Sequence, residues 1–329
     1  DQGAEGNLDN IFPPKEQHRE FITNTETDVL LQGPPGTGKT SSASALGIGA
    51  CVESYSGDGY ENFTGLVTGP SNNSVTEIFE STVNLIEDMD VDVTLYRLMS
   101  GSLDPLHEDK EYVVNVSGAG EYEALMEELG QGTLGDDPSV IFGTGFGVKR
   151  LFDNHPDDEE GTVYEFPPQV LDMLLLDEAS MCTLPTIFMS GAFIKDEAQV
   201  FISGDHRQMP PVQPHEWKDE TRPSIQKFVP YLSTLNFYRY LRGEEVDTIS
   251  DENERVFDSP NLEIDFVRLE ETYRCHREIA QLLKNQVYSK DSVNYHSHKE
   301  YTLQTEMNGT EGTNSVLDHD PMVVITHSE

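Results

Sequence analysis

The sequence predicts an α/β fold, a parallel sheet flanked by helices, on three observations. Short apolar runs of strand type alternate with helical patterns through most of the chain. One run, Val170 to Leu176, is almost unbroken, as expected of a central parallel strand buried on both faces. The third is the stretch Leu30 to Thr40, LLQGPPGTGKT, which sets a glycine-rich loop between a strand and a helix.

That loop fills the template G-x-x-x-x-G-K-[ST] with Gly33, Pro34, Pro35, Gly36, Thr37, Gly38, Lys39 and Thr40. Asp28 to Leu31 supplies the strand before it, and Ser41 to Ala50, rich in Ala and Ser, the helix after it. The glycines let the backbone curl so that successive N–H groups face one phosphate cluster. The helix opening near Lys39 adds the positive end of its dipole. Lys39 is placed to reach the outer phosphates and the Thr40 hydroxyl to ligate magnesium. The motif in this context reads as a nucleotide-binding loop.

Upstream, Gln17 lies in PPKEQHREFI, with Phe21 and Ile22 able to face a core. An amide both donates and accepts, so Gln17 suits an adenine edge as well as a solvated helix face. Downstream, Phe63 to Thr68 reads as a second strand that ends in GPSNNS. Val75, Ile78, Phe79, Val83, Ile86 and Met89 then keep the spacing of one helical face, with Ser71 or Asn72 as its N-cap. Small polar residues opening a helix suit a phosphodiester or a plain turn equally.

Residues 90–138 break the rhythm. Asp92 to Met99 has strand character and Tyr122 to Leu129 that of a helix, but between Thr82 and Pro138 there are 14 acidic residues against two basic ones, Arg97 and Lys110. The stretch reads as an insertion on the sheet's edge, outside the core. Ser139 to Thr144 returns to strand pattern, and the run at Val170 to Leu176 ends in Asp177-Glu178-Ala179-Ser180. Open parallel sheets place ligands at the carboxyl ends of their strands. There Asp177 can hold magnesium and Glu178 can take a proton from an attacking water.

Gln199 to Ser203 is a further short strand, followed by GDHRQMPPV, where Gln208 is a candidate to touch a γ-phosphate and orient water. A helix is expected from Ile225 to Arg242, and the polar stretch Asp247 to Pro260 reads as a linker. Asp265 to Leu269 reads as the strand of a next unit, with Ile279, Leu282, Leu283 and Gln286/Val287 tracing the face of the helix after it. Arg274 sits between the two; alone it is weak evidence, since most arginines pair with surface carboxylates. Met322 to Thr326 is one more expected strand.

Composition bounds the setting. The chain has 60 acidic and 21 basic residues, a net charge of −39 over 329 residues, which usually argues against nucleic-acid binding because phosphate contacts need Lys and Arg. The apolar periodicities argue against disorder. The remaining reading is a cytoplasm of very high salt, where the Debye length falls to about 3 Å at 1 M and diffuse repulsion is screened. No apolar run approaches the ~20 residues of a membrane span, and the first ten residues do not read as a signal peptide. Cys51, Cys182 and Cys275 are widely spaced, so no zinc site and no disulfide partner is indicated.

Taken in order, GPPGTGKT, TGPSNNSV, SVIFGTG, LLLDEAS, SGDHRQMPPV and LEETYRCHREI resemble the motifs of superfamily I helicases, nearest the 5′-to-3′ branch that includes the nonsense-decay RNA helicase. The resemblance covers residues 15–289, and its specific part is DEAS with GD-x-x-Q-x-P-P. It implies a P-loop NTPase with a RecA-like ATP-binding lobe over residues 1–246, a linker over 247–262 and a partial second RecA-like lobe over 263–329, with the acidic 82–138 stretch as the branch's insertion. It implies ATP and magnesium as cofactors and single-stranded DNA or RNA as partner. Gln17 looks like the adenine-reading glutamine, Lys39 and Thr40 like the phosphate and magnesium ligands, and Asp177 and Glu178 like the magnesium ligand and catalytic base. Gln208 looks like the γ-phosphate sensor and Arg274 like the arginine finger. Pro70, Ser71 and Asn72 look like the first strand-contacting motif, and Gly143 with Thr144 like the second.

Two departures stand out. The branch's small barrel ahead of the glutamine motif is absent, and residues 290–329 hold neither the Gln-Gly-rich motif nor the second arginine motif. The expectation is therefore a fragment, or one part of a split helicase whose remainder is a second chain. A switch or clamp-loader type ATPase is the nearest rival, and GD-x-x-Q-x-P-P speaks against it. An idle nucleic-acid-binding module is another, and the intact Lys39, Asp177 and Glu178 speak against that.

Overall fold

The structure, a computed structural model, describes residues 16–57, 63–89, 91–99, 103–130, 134, 137–153, 169–212, 222, 229–246 and 262–299. The linker at 247–260 and the strand expected at Met322–Thr326 lie outside the described residues, as does the start of the helix expected from Ile225.

The chain enters through helix α1 (Glu16–Ile22), which buries His18 and Phe21. Strand β1 (Asp28–Gln32) follows, with Val29, Leu30 and Leu31 at 0% exposure. After the glycine loop the chain makes a wide π-type turn over Lys39–Ser44 and tightens into α2 (Ala45–Gly57). Single π turns of this kind are rare and cluster at functional sites. Strand β2 (Thr64–Gly69) leads to α3 (Asn72–Asp88), whose N-cap is Ser71. The Ser71 and Ser74 side chains cap each other's backbone N–H groups, satisfying donors the helix start would leave orphaned. Every apolar position expected on this helix's face is buried.

The acidic stretch then builds β3 (Thr94–Leu98), β4 (Val113–Val116) and α4 (Ala119–Gly130). β4 and β3 stand at one edge of the sheet, as expected, but the stretch is not outside the core. Val116, Tyr122, Leu125, Met126 and Leu129 are buried in the same apolar cluster as Leu30 and Leu174. Its acids face water while every third or fourth residue of α4 turns inward, and a charge count does not register that periodicity.

β5 (Ser139–Thr144), α5 (Gly145–Asp153), β6 (Leu171–Leu176), α6 (Leu184–Gly191) and β7 (Ile194–Gly204) complete the alternation. α7 (Thr234–Leu241) starts later than the sequence suggests, because Ser233 caps it by accepting the Asn236 N–H. β8 (Asp265–Arg268) ends the sheet. The strand order is β4-β3-β5-β2-β6-β7-β1-β8. The pairs from β4 through β1 are parallel, and β6 is central. This is the RecA-like P-loop NTPase sheet the motifs imply. β8, expected to open a new unit, instead adjoins β1 in this sheet. Among the described residues no helix is long and apolar enough to cross a membrane.

Of the described residues, those within Asp1–Gln32 and Lys39–Val267 form one compact unit, and those within Gly33–Gly38 and Arg268–Glu329 a second. The second holds α8 (Arg277–Gln286) and a 3-10 turn (Tyr288–Asp291). Its small core is Ala280, Tyr288, Val293 and Tyr295, with Leu283 and Val287 packed beside it. The helix is turned by one position from the expected face: Ala280 is fully buried, whereas Leu282 is 39% exposed.

Candidate nucleotide site

Parallel pairing puts the carboxyl ends of the strands on one rim. Leu176 of β6 is level with Thr68 of β2 and Ile202 of β7, and Gln32 of β1 is level with Gly204. The residues just past these ends, Asp177 and Asp205, are both at 0% exposure. Asp177 accepts the Thr40 hydroxyl on Oδ2 at 2.8 Å, and its Oδ1 is buried with no hydrogen-bond partner. A buried carboxylate oxygen left unpaired carries a large desolvation cost unless a cation or water meets it.

That donor set fits magnesium, a hard cation that takes oxygen ligands and keeps several waters and substrate phosphates around it. Among the described residues no group of three or more His, Cys, Asp or Glu could cage a metal. Asp177 and Thr40 are the carboxylate and the hydroxyl that would hold such an ion.

Glu178 follows in the left-handed region at φ 49°, a strained conformation for a residue with a side chain. The turn is pinned where the Ala179 N–H donates to Ser203 O at 2.8 Å and the Met181 N–H to Glu178 O at 2.9 Å. Gly204 permits that approach, since a Cβ there would stand 3.2 Å from Ser180 N and 3.3 Å from Ala179 N. Burial pushes the Glu178 carboxyl above the usual range; nearby Lys39 pulls it back, and Asp177, Asp205 and Glu77 push it up again. Lys39 itself is only 6% exposed, its charge held at the rim where the acids gather.

Gln208 is held at the same rim by Asp205, a residue sequence reasoning did not single out. Asp205 accepts the Gln208 side-chain amide at 3.2 Å and the Arg207 N–H at 3.0 Å. The Gln208 N–H closes the turn onto Asp205 O at 3.0 Å. Beside it, Gln32 at the end of β1 hydrogen-bonds His206 Nδ1 at 2.7 Å. The signal for Asp205 lay within GDHRQ: an acid at a buried strand end three residues before the glutamine makes an Asx-type turn.

The loop Gly33–Gly38 is described with the second unit. Thr37, fully buried, donates its hydroxyl to Pro34 O at 2.8 Å, and Gly36 and Gly38 take φ of 75° and 88°. A Cβ on Gly36 would stand 2.4 Å from the Cβ of Arg274, so no other residue fits there without displacement. Arg274 itself is exposed and lies ahead of α8.

The profile of the AAA domain family matches residues 18–214, more than half of the chain, and spans the loop, the Asp177-Glu178 turn and Gln208. The chain belongs to that family. No curated protein matches it. Among solved structures it is similar to the helicase nonstructural protein 10 of an arterivirus in complex with DNA, at 14% identity and a TM-score of 0.37, covering 86% of this chain and 44% of that one. It is also similar to a nuclease-deletion mutant of the Type ISP restriction-modification enzyme LlaGI with a DNA substrate mimic, at 17% identity and a TM-score of 0.38, covering 65% and 18%. The chain thus spans less than half the length of these structures, and likenesses so loose carry no argument about function.

Within this AAA domain the two expected strand-contacting motifs come together. β2 and β5 pair with Gly69 level with Thr144, so Pro70, Ser71 and Asn72 leave the rim beside Gly143 and Thr144. The Ser71 hydroxyl is engaged in its cap, and Thr144 Oγ1 accepts the Gly147 N–H at 3.4 Å. Gln17 is half-buried on α1, next to the buried His18.

Proposed function

We propose that this AAA domain hydrolyses ATP with magnesium and couples that cycle to single-stranded DNA or RNA, as a helicase or translocase domain. The observation that carries the reading is Thr40, Asp177 and Glu178 meeting at one rim, with an unpaired buried Asp177 oxygen beside a strained, proton-favouring Glu178. In this reading Gly33, Pro34, Pro35, Gly36, Thr37 and Gly38 wrap the phosphates with their backbone, Lys39 neutralises the outer ones, and Gln17 reads the adenine edge. Thr40 and Asp177 would hold magnesium, which when bound would neutralise phosphate charge. Glu178 takes a proton from water as its oxygen bonds to the γ-phosphorus and the bond to the bridging oxygen breaks, leaving ADP and phosphate. Gln208, steadied by Asp205, orients that water, and Arg274 is proposed as the arginine that steadies charge on the transferred group. Pro70, Ser71, Asn72, Gly143 and Thr144 would line the path of the strand at the rim, where contacts to its backbone carry no sequence information.

The test is magnesium-dependent ATP turnover by the 329-residue chain, with and without oligo-dT and oligo-U, in molar KCl. Turnover no faster than that of Lys39→Ala would sink the ATPase reading. Turnover present but indifferent to both strands would leave a switch ATPase and sink the coupling.

A further inference from the structure

Outside every motif the sequence presents, a buried tyrosine reaches the phosphate loop. The Tyr295 hydroxyl donates to Pro35 O at 2.8 Å, and the Thr272 hydroxyl donates to the same carbonyl at 3.0 Å. The Tyr273 N–H donates to the next carbonyl, Gly36 O, at 2.8 Å. Tyr295 is 0% exposed and Thr272 1%, and the Tyr295 ring packs on Tyr288 with centroids 5.2 Å apart. All of these residues belong to one compact unit with the loop.

We propose that Tyr295 and Thr272 are positioning residues that set the direction of the loop's Gly36 N–H as a phosphate donor, an inference that rests on the nucleotide reading above. The physical link is the planar trans peptide, in which C=O and N–H point to opposite sides. Tying Pro35 O to Tyr295 and Thr272 aims the Gly36 N–H away from them. Tyr273 holds Gly36 O in the same way, while the Thr37 N–H of that peptide closes onto Pro34 O at 3.4 Å within the loop. The Pro35–Gly36 peptide plane is thus held, with its donor turned away from Tyr295 and Thr272, before any nucleotide arrives. Gly36, at φ 75°, has the backbone freedom to accept this arrangement, and Arg274 Cβ closes the space over it. Preorganised donors lose less on binding than donors that must first be turned.

The loop grips the phosphates in the ground state and the transition state alike, so loosening it should raise KM and leave kcat nearly unchanged. Tyr295→Phe removes one oxygen and keeps the ring. In the full chain it should raise the ADP dissociation constant and the ATP KM by about 2–10-fold, the usual net worth of one hydrogen bond, with kcat within about twofold. Thr272→Val should do the same and supplies the measurement if Tyr295→Phe fails to fold. Thr272→Ser, which keeps the donor, should bind ADP more tightly than Thr272→Val. The double variant, leaving Pro35 O without either hydroxyl, should lose more than the product of the single losses. Unchanged affinity in both single variants, or a lower kcat at unchanged KM, overturns the proposal, the latter pattern marking a fold support only. A wild-type chain that binds no ADP overturns the nucleotide reading first and this inference with it.

Discussion

The Thr40 hydroxyl donates to one oxygen of Asp177 at 2.8 Å, while the other oxygen of the same carboxylate is buried without a hydrogen-bond partner. The first contact fixes the carboxylate's rotation and the second leaves a negative atom facing an unmet demand. Asp177→Asn keeps the shape and removes the charge. It should fold normally and lose the magnesium dependence of ADP binding, read by titrating magnesium at fixed ADP. Magnesium dependence equal to wild type would show that Asp177 plays no part in holding the ion.

Lys39→Ala removes a cation whose charge acts on the rim acid Glu178. ATP affinity by calorimetry, or turnover, should fall sharply, since Lys39 is placed to reach the outer phosphates. Unchanged values for both would refute the phosphate-loop assignment.

Glu178→Gln keeps size and backbone strain and removes only the ionisable group. Magnesium-ATP should still bind, while turnover drops by roughly 10²–10⁴, the usual worth of a positioned general base. Retained turnover with weakened binding would make Glu178 structural.

The same residue predicts a pH dependence. Its folded pKa is raised, chiefly by burial. Its contribution to stability is therefore fully present below the unfolded pKa and lost as pH rises through the folded one. At neutral pH the ionised carboxylate is a cost, so Glu178→Gln should melt higher than wild type at pH 7, and the gap should close as pH falls through that window. Wild-type activity should fall on acidification at a higher pH than an ordinary carboxylate would give. A variant that melts lower at pH 7 would contradict the burial argument.

The charge of −39 gives a prediction about salt. Self-repulsion loosens a compact chain in dilute buffer and is screened at molar salt. The melting temperature by circular dichroism should climb steadily from low to molar KCl. A flat or falling trend would remove the high-salt reading.

The sequence by itself determined the class of fold and named most of the residues on which the proposed chemistry rests. The loop template fixed Lys39 and Thr40 because a phosphate cradle needs glycines and a cation at set spacing. The apolar run to Leu176 fixed where Asp177 and Glu178 stand, because a strand buried on both faces must deliver its next residues to the sheet's rim. Helix α3 was legible down to its cap for the same local reason. What only the tertiary structure decided depends on contacts far apart in the chain. The acidic stretch after α3 joins the core because α4 turns Tyr122 and Leu125 inward, although its charge suggested otherwise. β8 takes its place beside β1 because an open sheet edge accepts whichever strand reaches it, and an edge leaves no mark in a local pattern. Asp205 steadies Gln208, and Tyr295 reaches Pro35 across 260 positions. A hydrogen bond at that separation follows from how the chain is folded and not from the residues on either side of it.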